Sequence, residues 1–223
     1  MGRSYCEGCG RTLGGFDLVP IISFFALNRR CKRCKNPISW QYPIVEALTG
    51  FIFAVSFWRF VSDGNFNLIY LLFILFISSI LIIVSAVDFK FSLIPTSLVF
   101  GASLAVLLFD YFSKNSQDFV GFTAAAFLLA AFFGIIVFLT RGKGMGEGDI
   151  ILAFLIGMVL GLRDGILAVF LAFLIGATFA LCLIFTGKKR FGQTIPFAPF
   201  LVLGFWISLL FANPIINYYL MLY

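Results

Sequence analysis

Apolar positions along this chain come in long unbroken blocks, separated by short polar stretches that carry the charges, prolines and glycines. Seven blocks follow the first 41 residues: 42–59, 66–87, 94–112, 119–140, 150–162, 165–186 and 195–212. A helix needs about 20 apolar residues to cross a hydrocarbon layer ~30 Å thick, so most of these blocks predict a spanning helix, the fifth being a short one. A closed β-barrel is excluded, because the blocks lack strict alternation and run too long for strands. Ahead of them, 1–41 is polar, basic and cysteine-bearing. Its one apolar stretch, 13–27, is broken by Asp17 and Pro20 and is too short to span. The pattern predicts an all-α polytopic membrane protein of about seven transmembrane helices, with a small cytoplasmic four-Cys segment at 1–41 and a membrane domain at 42–223. No internal repeat or low-complexity segment stands out.

Composition agrees: 61% of the 223 residues are hydrophobic and 12% charged, with mean hydropathy +1.07. The 31 Phe read as lipid-facing packing. The net charge of +6 has a spatial meaning once the blocks are drawn. Of 16 basic residues, 13 fall on one side: Arg3, Arg11, Arg29, Arg30, Lys32, Arg33, Lys35, Lys90, Arg141, Lys143, Lys188, Lys189 and Arg190. Only Arg59, Lys114 and Arg163 fall on the other. Basic loops mark the cytoplasmic face and meet anionic lipid, which puts the N-terminus inside and the tail at 213–223 outside. Membrane lipid is the expected partner and nucleic acid is not.

The chain has no histidine, so chemistry that needs an imidazole is excluded. Four of five cysteines form C-x2-C pairs, Cys6/Cys9 and Cys31/Cys34, a pattern that points two thiolates per turn at one tetrahedral Zn2+. Four thiolates close the shell, so such a zinc is structural; disulfides or unused thiols are the alternative. Cys182, alone in an apolar block, reads as a small core residue.

Among ten acids, Asp63, Asp110, Asp118 and Asp164 fall in or near outer loops and read as solvated charges; Glu7 and Asp17 belong to the cysteine segment. Of the remaining four, which include Glu46 and Glu147, Asp88 ends one block and Asp149 opens another on the same face. Two carboxylates sharing a site do not both ionise comfortably, so one keeps a proton while the other activates water, a way to hydrolyse peptides without histidine. Gly144, Gly146 and Gly148 alternate before Asp149 and would let a substrate backbone approach. A phosphate-binding loop is the competing reading, but no Gly-Lys-Ser/Thr follows. A pair of juxtamembrane charges with no catalytic role remains the plain alternative.

Several motifs in order resemble the type IV prepilin peptidases, bifunctional leader peptidases and N-methyltransferases of the G-x-G-D class of membrane aspartic proteases. They are Arg3-Ser4-Tyr5-Cys6 to Cys9, Asp17-Leu18-Val19-Pro20, Arg30-Cys31 to Cys34, and Tyr42-Pro43-Ile44-Val45-Glu46. Asp88 with Ile94-Pro95, Gly144-Met145-Gly146-Glu147-Gly148-Asp149, and Ile195-Pro196-Phe197-Ala198-Pro199-Phe200 complete the set. The resemblance implies a bacterial inner-membrane endopeptidase with Asp88 and Asp149 as catalytic pair and a peptidase core at about 67–200. It would remove the basic leader of type IV prepilins or type II secretion pseudopilins on the cytoplasmic side. A methyltransferase-associated region would extend to about residue 85 and use S-adenosylmethionine. Members usually carry a further helix ahead of the Arg3-Ser4 segment, associated with methylation, whereas here Met1 stands just before it, which leaves that activity open. Thr96 and Ile151 are smaller departures from the family pattern. A reading from another class is a non-catalytic zinc-bearing adaptor or small ion-binding transporter. For the roles of the pair, Asp149 at a helix N-terminus would be the ionised base and Asp88 at a C-terminal end the acid.

Overall fold

A computed structural model describes residues 4–62, 67–142, 144–187 and 195–221. The charges at Arg3, Asp63, Lys143 and Lys188, Lys189 and Arg190 lie outside the described residues. The chain divides into two compact units, Met1–Leu75 and Phe76–Tyr223.

In the first unit two small knuckles carry the cysteines. Each is pinned by an isolated bridge, Tyr5 with Thr12 and Arg30 with Pro37. The knuckles repeat one hydrogen-bond scheme: Cys6 and Cys31 N–H donate to the carbonyls of Arg11 and Asn36, and Gly10 and Lys35 N–H donate back to Cys6 and Cys31. The donors that return, Gly10 and Lys35, both adopt left-handed backbone, φ 66° and 59°. This is a structural repeat that the sequence reading does not find. A 3-10 turn at Gly15–Leu18, α1 (Ile22–Ala26) and the long α2 (Gln41–Ser62) follow. The apolar stretch 13–27 thus becomes two short pieces, as Asp17 and Pro20 require.

Five further helices are α3 (Leu68–Phe91), α4 (Thr96–Ser113), α5 (Ser116–Thr140), α6 (Glu147–Phe185) and α7 (Ala198–Met221). Among the described residues six helices, α2 to α7, are long and apolar enough to cross a membrane. The difference from the seven expected blocks lies in α6, a 39-residue element interrupted at Gly161, where φ is 74° and ψ −172°. A Cβ on Gly165 would lie 3.9 Å from the Gly157 Cα, whereas eight residues of straight helix separate by about 12 Å. The fifth and sixth blocks are therefore two limbs, 147–160 and 162–185, that fold back on each other at a glycine only that residue's backbone freedom allows. Helix α7 also runs further than its block, through Pro214 to Met221, so the expected tail at 213–223 is helical over most of its length.

Association inside the second unit depends on small residues, since lipid offers no hydrophobic gain for bringing apolar helices together. A Cβ on Gly157 would stand 2.6 Å from the Ala126 Cα, one on Gly165 2.8 Å from Leu129, and one on Gly204 would strike the Ala168 carbonyl. Phe133, fully buried, stacks on Phe173 with ring centroids 6.0 Å apart. Other phenylalanines, such as Phe112, Phe138 and Phe185, are exposed as lipid-facing side chains would be. Cys182 is exposed, not a core residue. Asp110 is not a solvated loop charge either: it is 3% exposed within α4, and Lys114 Nζ reaches its carboxylate at 2.9 Å. The same ammonium sits 3.2 Å above the Phe122 ring, so the pair caps the end of α4 instead of meeting water. Asp164 is only partly exposed, and its carbonyl accepts a 2.6 Å bond from Ser208 Oγ.

Gly157→Val should lower the thermal midpoint in detergent by an overpacking cost of about 1–3 kcal/mol, because backbone atoms of α5 block the added carbons. Gly134→Ala, which meets nothing within 4 Å, should leave it unchanged.

Candidate active site

Asp88 lies in the last turn of α3, and Asp149 is the third residue of α6, after the extended N-cap Gly146. The first turn of any helix exposes N–H groups that have no partner inside it. Asp149 uses this locally, its Oδ2 accepting from Gly146 N–H at 3.2 Å. Asp88 does so at long range, its Oδ2 accepting from Ala198 N–H at 3.2 Å, at the first residue of α7. Each carboxylate is 5% exposed, and the charge of Asp88 acts directly on Asp149. The second oxygen of Asp149, Oδ1, is buried with no hydrogen-bond partner among the described residues.

Local sequence explains how these groups meet. A Cβ on Gly148 would sit 2.7 Å from the Ile94 Cβ, so the missing side chain is what lets the Ile94-Pro95 segment close on the start of α6. Gly144 is crowded by Thr140, 3.1 Å from a Cβ there, while Gly146 faces only the Asp149 carboxylate at 3.8 Å. Met145 between them is buried and anchors the loop. Ala198 is fully buried, and its neighbour Phe197 packs 5.0 Å from Phe173 and 6.1 Å from Phe133. The structure thus brings together three segments far apart in the chain. Ala198 is the participant that residue chemistry overlooks, since it contributes a backbone N–H and no side-chain group. The expected difference between the two aspartates is offset, because Asp88 also faces a helix N-terminus, that of α7.

In the first unit, the Sγ atoms of Cys6, Cys9, Cys31 and Cys34 all lie within 4.8 Å of one another, with Cys6 and Cys34 3.7 Å apart. Tetrahedral zinc with Zn–S near 2.3 Å needs sulfurs about 3.8 Å apart, so the four thiols fit that ion. Backbone N–H groups of Cys34 and Arg33 lower the Cys31 thiol to about 6. For Cys34, the Asn36 N–H pulls downward, but desolvation and the neighbouring thiols of Cys31, Cys9 and Cys6 raise it to about 11. The Cys31 thiolate forms readily and Cys34 resists, a conflict that a divalent cation resolves. Asp17 ties the knuckles together: it meets Arg11 at 3.2 Å and Lys32 at 2.8 Å. The Lys32 hydrogen bond, then the Gly14 N–H, hold its carboxyl below the usual range. Glu46, on α2, accepts the Ile21 N–H at 2.7 Å.

A multi-pass helical membrane protein with two buried, interacting aspartates beside a glycine loop defines the class. Residues 1–60 match the bacterial peptidase A24 N-terminal domain and residues 75–181 the type IV leader peptidase family. The chain is 35% identical over 221 residues to a prepilin leader peptidase/N-methyltransferase of Bacillus subtilis (strain 168), covering 98% of this chain and 85% of that one. It is 30% identical to a protein of the same name from Burkholderia pseudomallei (strain 1026b), with 99% and 70% covered. For one from Pseudomonas aeruginosa the identity is 28%, with 98% and 74% covered. No solved structure matches. The chain belongs to the type IV leader peptidase family.

Gly148→Val should abolish whatever activity the aspartate pair supports while the chain stays folded, because it separates Ile94 from the α6 start without touching either carboxylate. A folded variant with full activity would contradict the close approach.

Proposed function

We propose that this chain is a membrane aspartic endopeptidase that removes the leader peptide from prepilins, with Asp88 and Asp149 as its catalytic pair. The observation that carries the reading is that two buried carboxylates from the ends of α3 and α6 lie near enough for the charge of one to act on the other. Family membership and the relatives' shared name give the reaction and its substrate class. Between them the two groups share one proton. The ionised member takes a proton from water as the water oxygen adds to the scissile carbonyl, and the protonated member gives its proton to the leaving amine as the C–N bond breaks, so that one water is consumed and the pair again holds one proton, now on the other carboxyl. The free Oδ1 of Asp149 is suited to holding that water. Gly144, Gly146 and Gly148 line the approach as the substrate loop.

The substrates on this reading are type IV prepilins or type II secretion pseudopilins, cut at the cytoplasmic face of the bacterial inner membrane. The 13 basic residues assigned to that face support this orientation, with the N-terminus inside and the C-terminus outside. Residues 1–41 form the four-Cys segment, 42–223 the membrane domain and about 67–200 the peptidase core. Cys6, Cys9, Cys31 and Cys34 hold a structural Zn2+ whose role is to join the two knuckles. N-methylation of the new terminus would draw on S-adenosylmethionine and is supported by the relatives' name. The cavity of about 270 Å³ lined by Phe25, Asn28, Arg29 and Trp40 does not fit that molecule. Its wall carries a guanidinium and no carboxylate, so nothing there would face a sulfonium cation.

Co-expression with a prepilin tests the central reading. Asp88→Asn and Asp149→Asn should each cut leader removal by at least about 10²–10⁴-fold, seen as loss of the shortened band, and processing that survives both would refute the pair. The metal is checked separately: the purified chain should hold one zinc by elemental analysis, and Cys31→Ser should lose it while Asp88→Asn keeps it.

A further inference from the structure

The apolar stretch 13–27 has no part in the reading above, and the first unit leaves its side chains in the open. Phe16 is 88% exposed, Ile22 68% and Phe25 58%, with Leu18 and Trp40 half exposed. Ile22 and Phe25 stand three residues apart on α1 and so share a face. Phe24 and Phe25 pack on Trp40, with ring centroids at 5.0 and 6.4 Å, directly before the first residue of α2.

Depth follows from helix length. The apolar span Gln41–Val61 has 21 residues, about 31.5 Å at ~1.5 Å per residue, against a hydrocarbon layer of ~30 Å. Almost no length is spare, and tilt would use up more. Glu46 therefore lies inside the hydrocarbon boundary, five steps or about 7.5 Å from the start of α2. Its carboxylate bonds the N–H of Ile21 at 2.7 Å, which fixes the start of α1 beside that buried turn and not out in the aqueous phase. Charge agrees with depth. The exposed cations Arg29, Arg30, Arg33 and Lys35 follow α1 at once, and the Arg29 guanidinium lies 5.4 Å over the Trp40 ring. Aromatic and aliphatic groups at acyl depth with cations just above them match an anionic leaflet.

We propose that residues 15–26, with Trp40, are an interfacial membrane element: the apolar face of α1 and the 3-10 turn is seated in an anionic leaflet, and the cysteine knuckles sit against the headgroups and not free in solution. Exposed apolar surface on this segment is lipid-contact surface.

Single-tryptophan reporters in the full chain test this. Trp40, Trp58 and Trp206 are replaced by Phe, and Phe16→Trp or Phe25→Trp is added, with retained prepilin processing or zinc content as the check that each reporter folds. In phosphatidylglycerol vesicles, both reporters should be quenched by bromine-labelled acyl chains to within about two-fold of a chain whose only tryptophan is Trp58, near the far end of the α2 span and exposed. Iodide should quench them several-fold less than free tryptophan amide. Replacing phosphatidylglycerol by phosphatidylcholine should weaken the acyl-chain quenching at Phe16→Trp by at least about two-fold. Ready quenching by iodide with none from the acyl chains would place the segment in water and overturn the proposal. Protection from both quenchers would overturn it equally, since the face would then be covered by protein. Equal quenching in both lipids would remove the anionic requirement.

Discussion

A backbone N–H at membrane depth has to find an acceptor, and water is not there to supply one. Helix starts are where this constraint is felt, because their first N–H groups have no partner within the helix. Here three carboxylates answer it: Asp149 at the N-cap of α6, Asp88 at the first residue of α7, and Glu46 at Ile21 ahead of α1. The last is structural. The first two are the buried aspartates of the candidate site, so the bonds that satisfy these helix starts also fix where the two carboxylates stand. An aspartate buried for chemistry would be costly by itself; an aspartate buried at a helix start is partly compensated.

That arrangement needs helices to approach closely, and small residues provide it. Gly157 against Ala126, Gly165 against Leu129 and Gly204 against Ala168 remove the side chains that would hold α5, α6 and α7 apart. Gly148 does the same at the site, letting Ile94 close on the loop. Among these, Gly148 lies at the candidate site itself, while the others set the frame around it.

How much of this could be read from the sequence varies with the physics involved. Long apolar blocks are properties of single segments, so the all-helical membrane class and the approximate place of each helix follow from them. The four cysteines are likewise local, and their clustering is as expected. What escapes is long-range or side-chain-free. Ala198 has no chemistry to flag it, and only folding shows its N–H on Asp88. Asp110 looks like a loop charge until Lys114 and the ring of Phe122 are seen to enclose it. The break near Gly161 is legible as the gap between the fifth and sixth apolar blocks, but that the two limbs fold back on each other shows only in the close approach of Gly165 to Gly157.

The turn at Gly161 is fastened to α7, where Arg163 meets Asn213 at 3.3 Å and Ser208 bonds the Asp164 carbonyl. From there two columns run back toward the aspartates. From Glu147 to Leu160 α6 rises about 19.5 Å, and α7 from Ala198 to Asn213 about 22.5 Å, at ~1.5 Å per residue. They are rulers of similar length fastened together at one end, and at the other Asp88 accepts from the start of one while its charge acts on the start of the other. Vertical registration of the site is thus counted in helical residues from a point some 20 Å away, and one residue added to either column would lift its end by about 1.5 Å and turn it by about 100°.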